Sequence, residues 1–121
     1  MKGRKNGAEL QNRLINFAVA IVTFCSQLPQ NDAGRHISGQ LVRSGTAASP
    51  HYAEARSAES ARDFLHKLRI ALKELNESQV CLEIIERRQL IPAEELDGLR
   101  AEYGELCRIL GSSVRTVKAN L

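Results

Sequence analysis

"LVRSGTAASPHYAEA", residues 41–55, sets a proline and a run of Gly, Ala and Ser inside a pattern that is otherwise helical. Ile37 and Leu41 before the run, and Tyr52 and Ala55 after it, keep the spacing of one helix face. Small side chains at Gly45, Ala47, Ala48, Ser49 and Ala53 let a helix approach its neighbour more closely than leucine allows, which gains dispersion contact along both backbones. Pro50 removes one backbone donor, so the helix is expected to bend or loosen there, with a break into two shorter helices as the competing expectation.

Outward from this segment the chain reads as three more amphipathic helices. Upstream, Leu10, Leu14, Phe17, Ile21, Phe24 and Leu28 alternate steps of four and three, predicting a helix from about residue 8 to Gln27 that stops before Pro29. A second apolar row on it, Ile15, Ala18, Val22 and Cys25, exceeds what a helix in a monomeric bundle needs. Ile15 and Val22 are therefore expected at an interface between subunits. The turn "LPQNDAG" offers Asn31 or Asp32 as the N-cap of helix two, which runs to about residue 57. Helix three is expected from near Ser60 to near Gln89, carrying Phe64, Leu65, Leu68, Ala71, Leu72, Leu75, Gln79, Leu82 and Ile85. Helix four follows "LIPAEEL", with Pro92 or Ala93 in its first turn and the stripe Leu96, Leu99, Tyr103, Leu106, Leu110, Ser113 and Val117. Short connections force successive helices to turn back. The expected fold is all-α, an up-down-up-down antiparallel four-helix bundle.

Composition agrees with one domain over residues 1–121, with residues 1–7 expected to be disordered. Five aromatic residues and no Trp leave little material for strands. The net charge of +3 is mild, and Lys2, Arg4, Lys5 and Arg13 against Glu9 carry that excess. Cys25, Cys81 and Cys107 are odd in number and far apart, which predicts three buried, reduced thiols in a cytoplasmic protein. The chain opens without a signal-peptide pattern, and the apolar run near Phe17–Phe24 is too short to span a bilayer.

Chemistry is sparse. His36, His51 and His66 offer no third ligand to a metal, so no metal or other cofactor is expected. Glu54, Asp63, Glu74 and Glu77 lack the Glu-x-x-His motif of di-iron bundles. With no phosphate loop, zinc spacing or nucleophile beside a base, no catalytic residue is assigned and an enzyme is not expected. A hairpin centred near residues 57 and 58 sets Arg43 within one turn of Glu74, predicting a partly buried structural ion pair, with Glu77 farther away. Two basic rows stand out: Arg62, His66, Arg69 and Lys73 on helix three, and Arg100, Arg108, Arg115 and Lys118 on helix four. The candidate nucleic-acid contacts are Arg100, Arg108, Arg115 and Lys118, joined by Arg69 and Lys73; a solvated charged face is the competing reading.

"QLVRSGTAASPHYAEA", "DFLHKLRIALKELNES" and "CLEII" together resemble the bacterial four-helix-bundle family of proteins encoded in intervening sequences of 23S ribosomal RNA. The likeness covers about residues 10–115 and is most distinctive at Arg43, Ser44, Gly45, Thr46, Tyr52, Glu54 and Ala55. A second block matches at Asp63, Phe64, Lys67, Leu68, Ile70, Leu72, Lys73, Glu74 and Glu77. The chain departs from the family at Ala47, Ala48, His51, Val80 and Cys81. The resemblance implies a small cytosolic bundle, often a ring-shaped homopentamer, with no established enzymatic activity. It also implies that RNA, DNA, a reverse transcriptase or another protein is a partner, since a related branch, the accessory variability determinant of diversity-generating retroelements, binds such partners through a basic surface. The alternative is an interaction module for a polypeptide, without nucleic acid.

Overall fold

The computed structural model describes residues 2–121, and their side chains from Gly7 onward. Four helices follow one another: α1 (Lys2–Cys25), α2 (Asp32–Arg56), α3 (Ala61–Arg87) and α4 (Asp97–Ala119), the last preceded by a 3-10 turn at Ala93–Glu95. No strand occurs among the described residues. Each helix packs on its sequence neighbours, α2 and α3 share the most extensive seam, and α1 meets α4 along the shortest, which closes an up-and-down bundle. α1 begins ahead of the expected residue 8, at Lys2, where the sequence suggests a disordered lead; Met1 lies outside the described residues. Gly7 is buried against α2, where Tyr52 and Arg56 lie beside it. That contact supports helix where propensity alone is poor.

The predicted stripes form the core. Leu10, Leu14, Phe17, Ile21, Phe24 and Leu28 are all buried, as are Ile37, Leu41, Ser44, Gly45, Ala48, Tyr52 and Ala55 on α2. Of the second row on α1 only Cys25 is buried, whereas Ile15 and Val22 are exposed together with Val19. α2 runs unbroken through Pro50, which sits on the exposed side, so the Thr46 carbonyl that loses its donor lies near solvent. A Cβ on Gly45 would stand 2.8 Å from Ile21 Cγ2. Close approach therefore falls to Gly45 and Ala48, while Ala53 faces water. Ser44 is buried without penalty because its hydroxyl donates to the Gln40 carbonyl at 3.1 Å and lies 3.2 Å from the Ser78 hydroxyl on α3.

The connections are specified residue by residue. Asn31, rather than Asp32, caps α2: its Oδ1 accepts from the Gly34 N–H at 2.8 Å. Ser60 caps α3 by accepting from Asp63 N–H at 3.1 Å. The turn after α3 closes at Gln89, whose φ of 54° is left-handed. There Leu90 N–H donates to the Ile85 carbonyl (3.1 Å) and Gln89 N–H to the Glu86 carbonyl (3.0 Å), the pair of bonds that makes a Schellman motif. Helix four does not begin at Pro92 or Ala93 as expected. Glu95 and Leu96 instead close three-residue turns onto the Pro92 and Ala93 carbonyls, and buried Leu96 leads into α4.

Candidate nucleic-acid interface

Several arginines are matched to carboxylates. Arg13 forks onto Glu102 across the α1–α4 seam (2.6 and 3.1 Å), which holds its guanidinium pKa above the usual range. Arg43 reaches Glu74 at 3.2 Å and Glu77 at 2.5 Å. Glu74 is the buried member of this clasp and Arg43 is more than half exposed, so the pair is buried on one side only. Glu77, expected farther off, makes the shorter contact, because it lies one turn from Glu74 on the same face of α3. The hydrogen bond from Arg43 holds the Glu77 carboxyl below its usual range, and the same bond raises Arg43.

The four cations predicted along helix four do not form one row. At about 100° per residue, Arg100 and Lys118 share an azimuth, while Arg108 and Arg115 lie about 60–80° away. Arg100 turns toward α3 and pairs with Glu83 (3.3 Å) and Glu86 (2.8 Å). Arg108 is held by Glu105 at 2.5 Å, a hydrogen bond that raises its pKa and lowers that of Glu105. Arg115 and Lys118 are exposed and have no carboxylate partner within salt-bridge distance among the described residues.

What the structure does bring together is the end of the bundle where α3 starts and α4 finishes. A cleft of about 320 Å³ there is lined by Arg62, Leu65, His66, Arg69, Lys118 and Leu121. Arg62, His66 and Arg69 share one exposed face of α3, and Lys73 continues it by one turn. None of Arg62, Arg69, Lys73, Arg115 or Lys118 lies within salt-bridge distance of a carboxylate among the described residues, although Lys73 is near enough to Glu77 to help lower its pKa. Sequence periodicity identified the α3 row; the carboxylates that take up Arg100 come from another helix, which periodicity within α4 could not reveal. Val19 was also missed, although the absence of any Asp, Glu, Lys or Arg from Leu14 to Asn31 marks its surroundings.

Other chemistry is quiet. No group of three or more metal-binding side chains occurs among the described residues. His51 lies 3.9 Å from Glu54, and His66 lines the basic cleft. The three cysteines are free; Cys25 and Cys81 are buried as expected, but Cys107 is only partly so, because it sits at the α3–α4 seam 3.6 Å from Asn76 Oδ1. Burial pushes all three thiols up, away from the reactive thiolate. Among the described residues, no helix is long and apolar enough to cross a membrane.

Comparison with known proteins agrees with this architecture. The family model described as 23S rRNA-intervening sequence protein matches residues 8–112. A crystal structure from Bacteroides thetaiotaomicron VPI-5482, described as a protein with unknown function from the S23 ribosomal protein family, is 33% identical to this chain. It superposes with a TM-score of 0.81 over 87% of this chain and 97% of its own. No curated protein matches the chain. By the extent of the family match and the agreement of the four-helix architecture, the chain belongs to the 23S rRNA-intervening sequence protein family.

Proposed function

We propose that this bundle is a non-catalytic, self-assembling, cytoplasmic protein that binds RNA or DNA through its phosphates. The observation that carries the reading is the gathering of Arg62, Arg69 and Lys118, none of them ion-paired among the described residues, around one cleft between α3 and α4, with Lys73 one turn farther along α3 and Arg115 about one turn back along α4. A cation without a carboxylate partner can take a phosphate without first breaking an ion pair. Arg100 and Arg108, already paired, contribute less than their place in the sequence suggests. With five aromatic residues in the chain, base stacking adds little, so binding follows charge rather than sequence. Assembly, a ring of five being the arrangement expected from the resemblance, would present the cleft several times and multiply a weak affinity. A polypeptide partner such as a reverse transcriptase is the second reading, favoured by the exposed, uncharged face of α1.

Fluorescence anisotropy with labelled single- and double-stranded oligonucleotides over a salt series tests this. Binding should weaken steeply with salt and show no preference among unrelated sequences. Arg69→Gln with Lys118→Gln should flatten the logarithmic salt slope by about 0.7–0.9 for each phosphate that is no longer neutralised. Arg100→Gln with Arg108→Gln should change the slope less. No retention of nucleic acid by the unaltered protein at low salt would refute the reading and favour the polypeptide partner.

A further inference from the structure

Six large apolar side chains remain exposed among the described residues, and five of them fall in two places. Ile15 (45% exposed), Val19 (58%) and Val22 (51%) form a ridge along α1. Val80 (59%) and Ile84 (45%) stand on α3, beside a groove of about 750 Å³ between α2 and α3 into which Ile37, Cys81 and Leu90 also face. We infer that the α1 ridge of one copy seats in the α2–α3 groove of the next, which makes the groove the acceptor surface for self-assembly. The inference rests on the self-assembly part of the proposed function and supplies its second half.

Charge selects a second copy as the occupant. From Leu14 to Asn31 the chain has no charged residue, so the outward face of α1 around the ridge is uncharged polar or apolar, the composition of a buried interface centre. A charged peptide would suit the groove less well. Its one central cation, Arg43, is already held by Glu74 and Glu77, so a neutral ridge can cover it without stranding a bare cation, and Lys73, on the same helix as Glu77, offsets the second carboxylate. Arg88 and His36 also line the groove and are exposed, placed to stay at a wet rim. Ridge and groove are different surfaces of one chain. Each copy therefore keeps one free half after its first association, and repetition generates a closed ring or an open filament rather than a two-fold dimer.

Complementation tests the pairing. A ridge variant, Val19→Glu with Val22→Glu, keeps its groove; a groove variant, Val80→Glu with Ile84→Glu, keeps its ridge. All four positions are exposed, and circular dichroism with thermal melting checks that each variant folds; Val80→Ser with Ile84→Ser stands in if the glutamates prevent folding. In sedimentation velocity the unaltered protein should assemble and each variant alone should be a monomer. Their equimolar mixture should form a heterodimer that neither makes alone. Assembly of the unaltered protein without any heterodimer in the mixture overturns the ridge-in-groove pairing and leaves self-assembly standing. A groove variant that still assembles fully does the same. An unaltered protein that stays monomeric at micromolar concentration overturns both.

Discussion

Gln89 carries a local strain that a different side chain would relieve. Its φ of 54° lies in the region where a Cβ crowds the following carbonyl, at a cost of about 1 kcal/mol, yet the Schellman bonds to Ile85 and Glu86 require it. Gln89→Gly should therefore raise stability by about 0.5–1 kcal/mol in urea denaturation, the entropy of the unfolded glycine offsetting part of the gain. Gly34 behaves in the opposite way. A Cβ there would stand 1.8 Å from the Pro29 carbonyl oxygen, an overlap with backbone that no rotamer can avoid. Gly34→Ala should displace the α1–α2 turn and lower the urea midpoint, corresponding to about 3 kcal/mol or more. A loss below about 1 kcal/mol would show that the turn moves freely. The sequence marks this turn by Pro29 and by the choice of Asn31 or Asp32 as cap. The need for glycine at 34 was not legible, because it arises from a carbonyl five residues back that approaches only once Asn31 has capped the helix.

Among the elements, the α2–α3 hairpin shares the most extensive seam and is cross-linked by ion pairs along it. Arg43 clasps Glu74 and Glu77 near its middle, and Lys67 holds Glu54 at 2.8 Å nearer the turn. The hydrogen bond from Lys67 lowers the Glu54 pKa, as that from Arg43 lowers Glu77. Both carboxylates are thus more acidic folded than unfolded. Their stabilising contribution is fully present above the ordinary carboxylate pKa, about 4.3, and is lost as pH falls through the lowered folded values. The melting temperature should stay level from about pH 7 to 5 and fall below about pH 4. Arg43→Ala with Lys67→Ala should make that decline shallower; an unchanged decline would mean that other carboxylates govern it. The helices were legible because each stripe repeats over several turns: every position of Leu10, Leu14, Phe17, Ile21, Phe24 and Leu28 is buried. The basic row of α4 was less so. An azimuth follows from residue spacing, but the Glu83 and Glu86 that take Arg100 belong to α3, and a tertiary contact decides which cations stay unmatched.

At the scale of the whole molecule, the balance of unpaired charge is uneven along the bundle axis. The end that joins α2 to α3 and finishes α4 carries Arg56, Arg62, Arg69, Arg115 and Lys118 without carboxylate partners among the described residues, against Glu59 and Asp63, which also lack an ion pair there. The opposite end carries Glu94, Glu95 and Asp97 around the start of α4, exposed and likewise unmatched among the described residues, against the exposed Arg88 at the end of α3. Helices of 23 to 27 residues make the bundle about 35–40 Å long. That exceeds the screening length of about 8 Å at physiological salt several-fold, so a polyanion near one end does not sense the other. The excess of one sign at each end gives the molecule a modest dipole along its axis. In the field of a polyanion it experiences a torque that turns the basic pole forward before the two touch, and collisions begin already oriented.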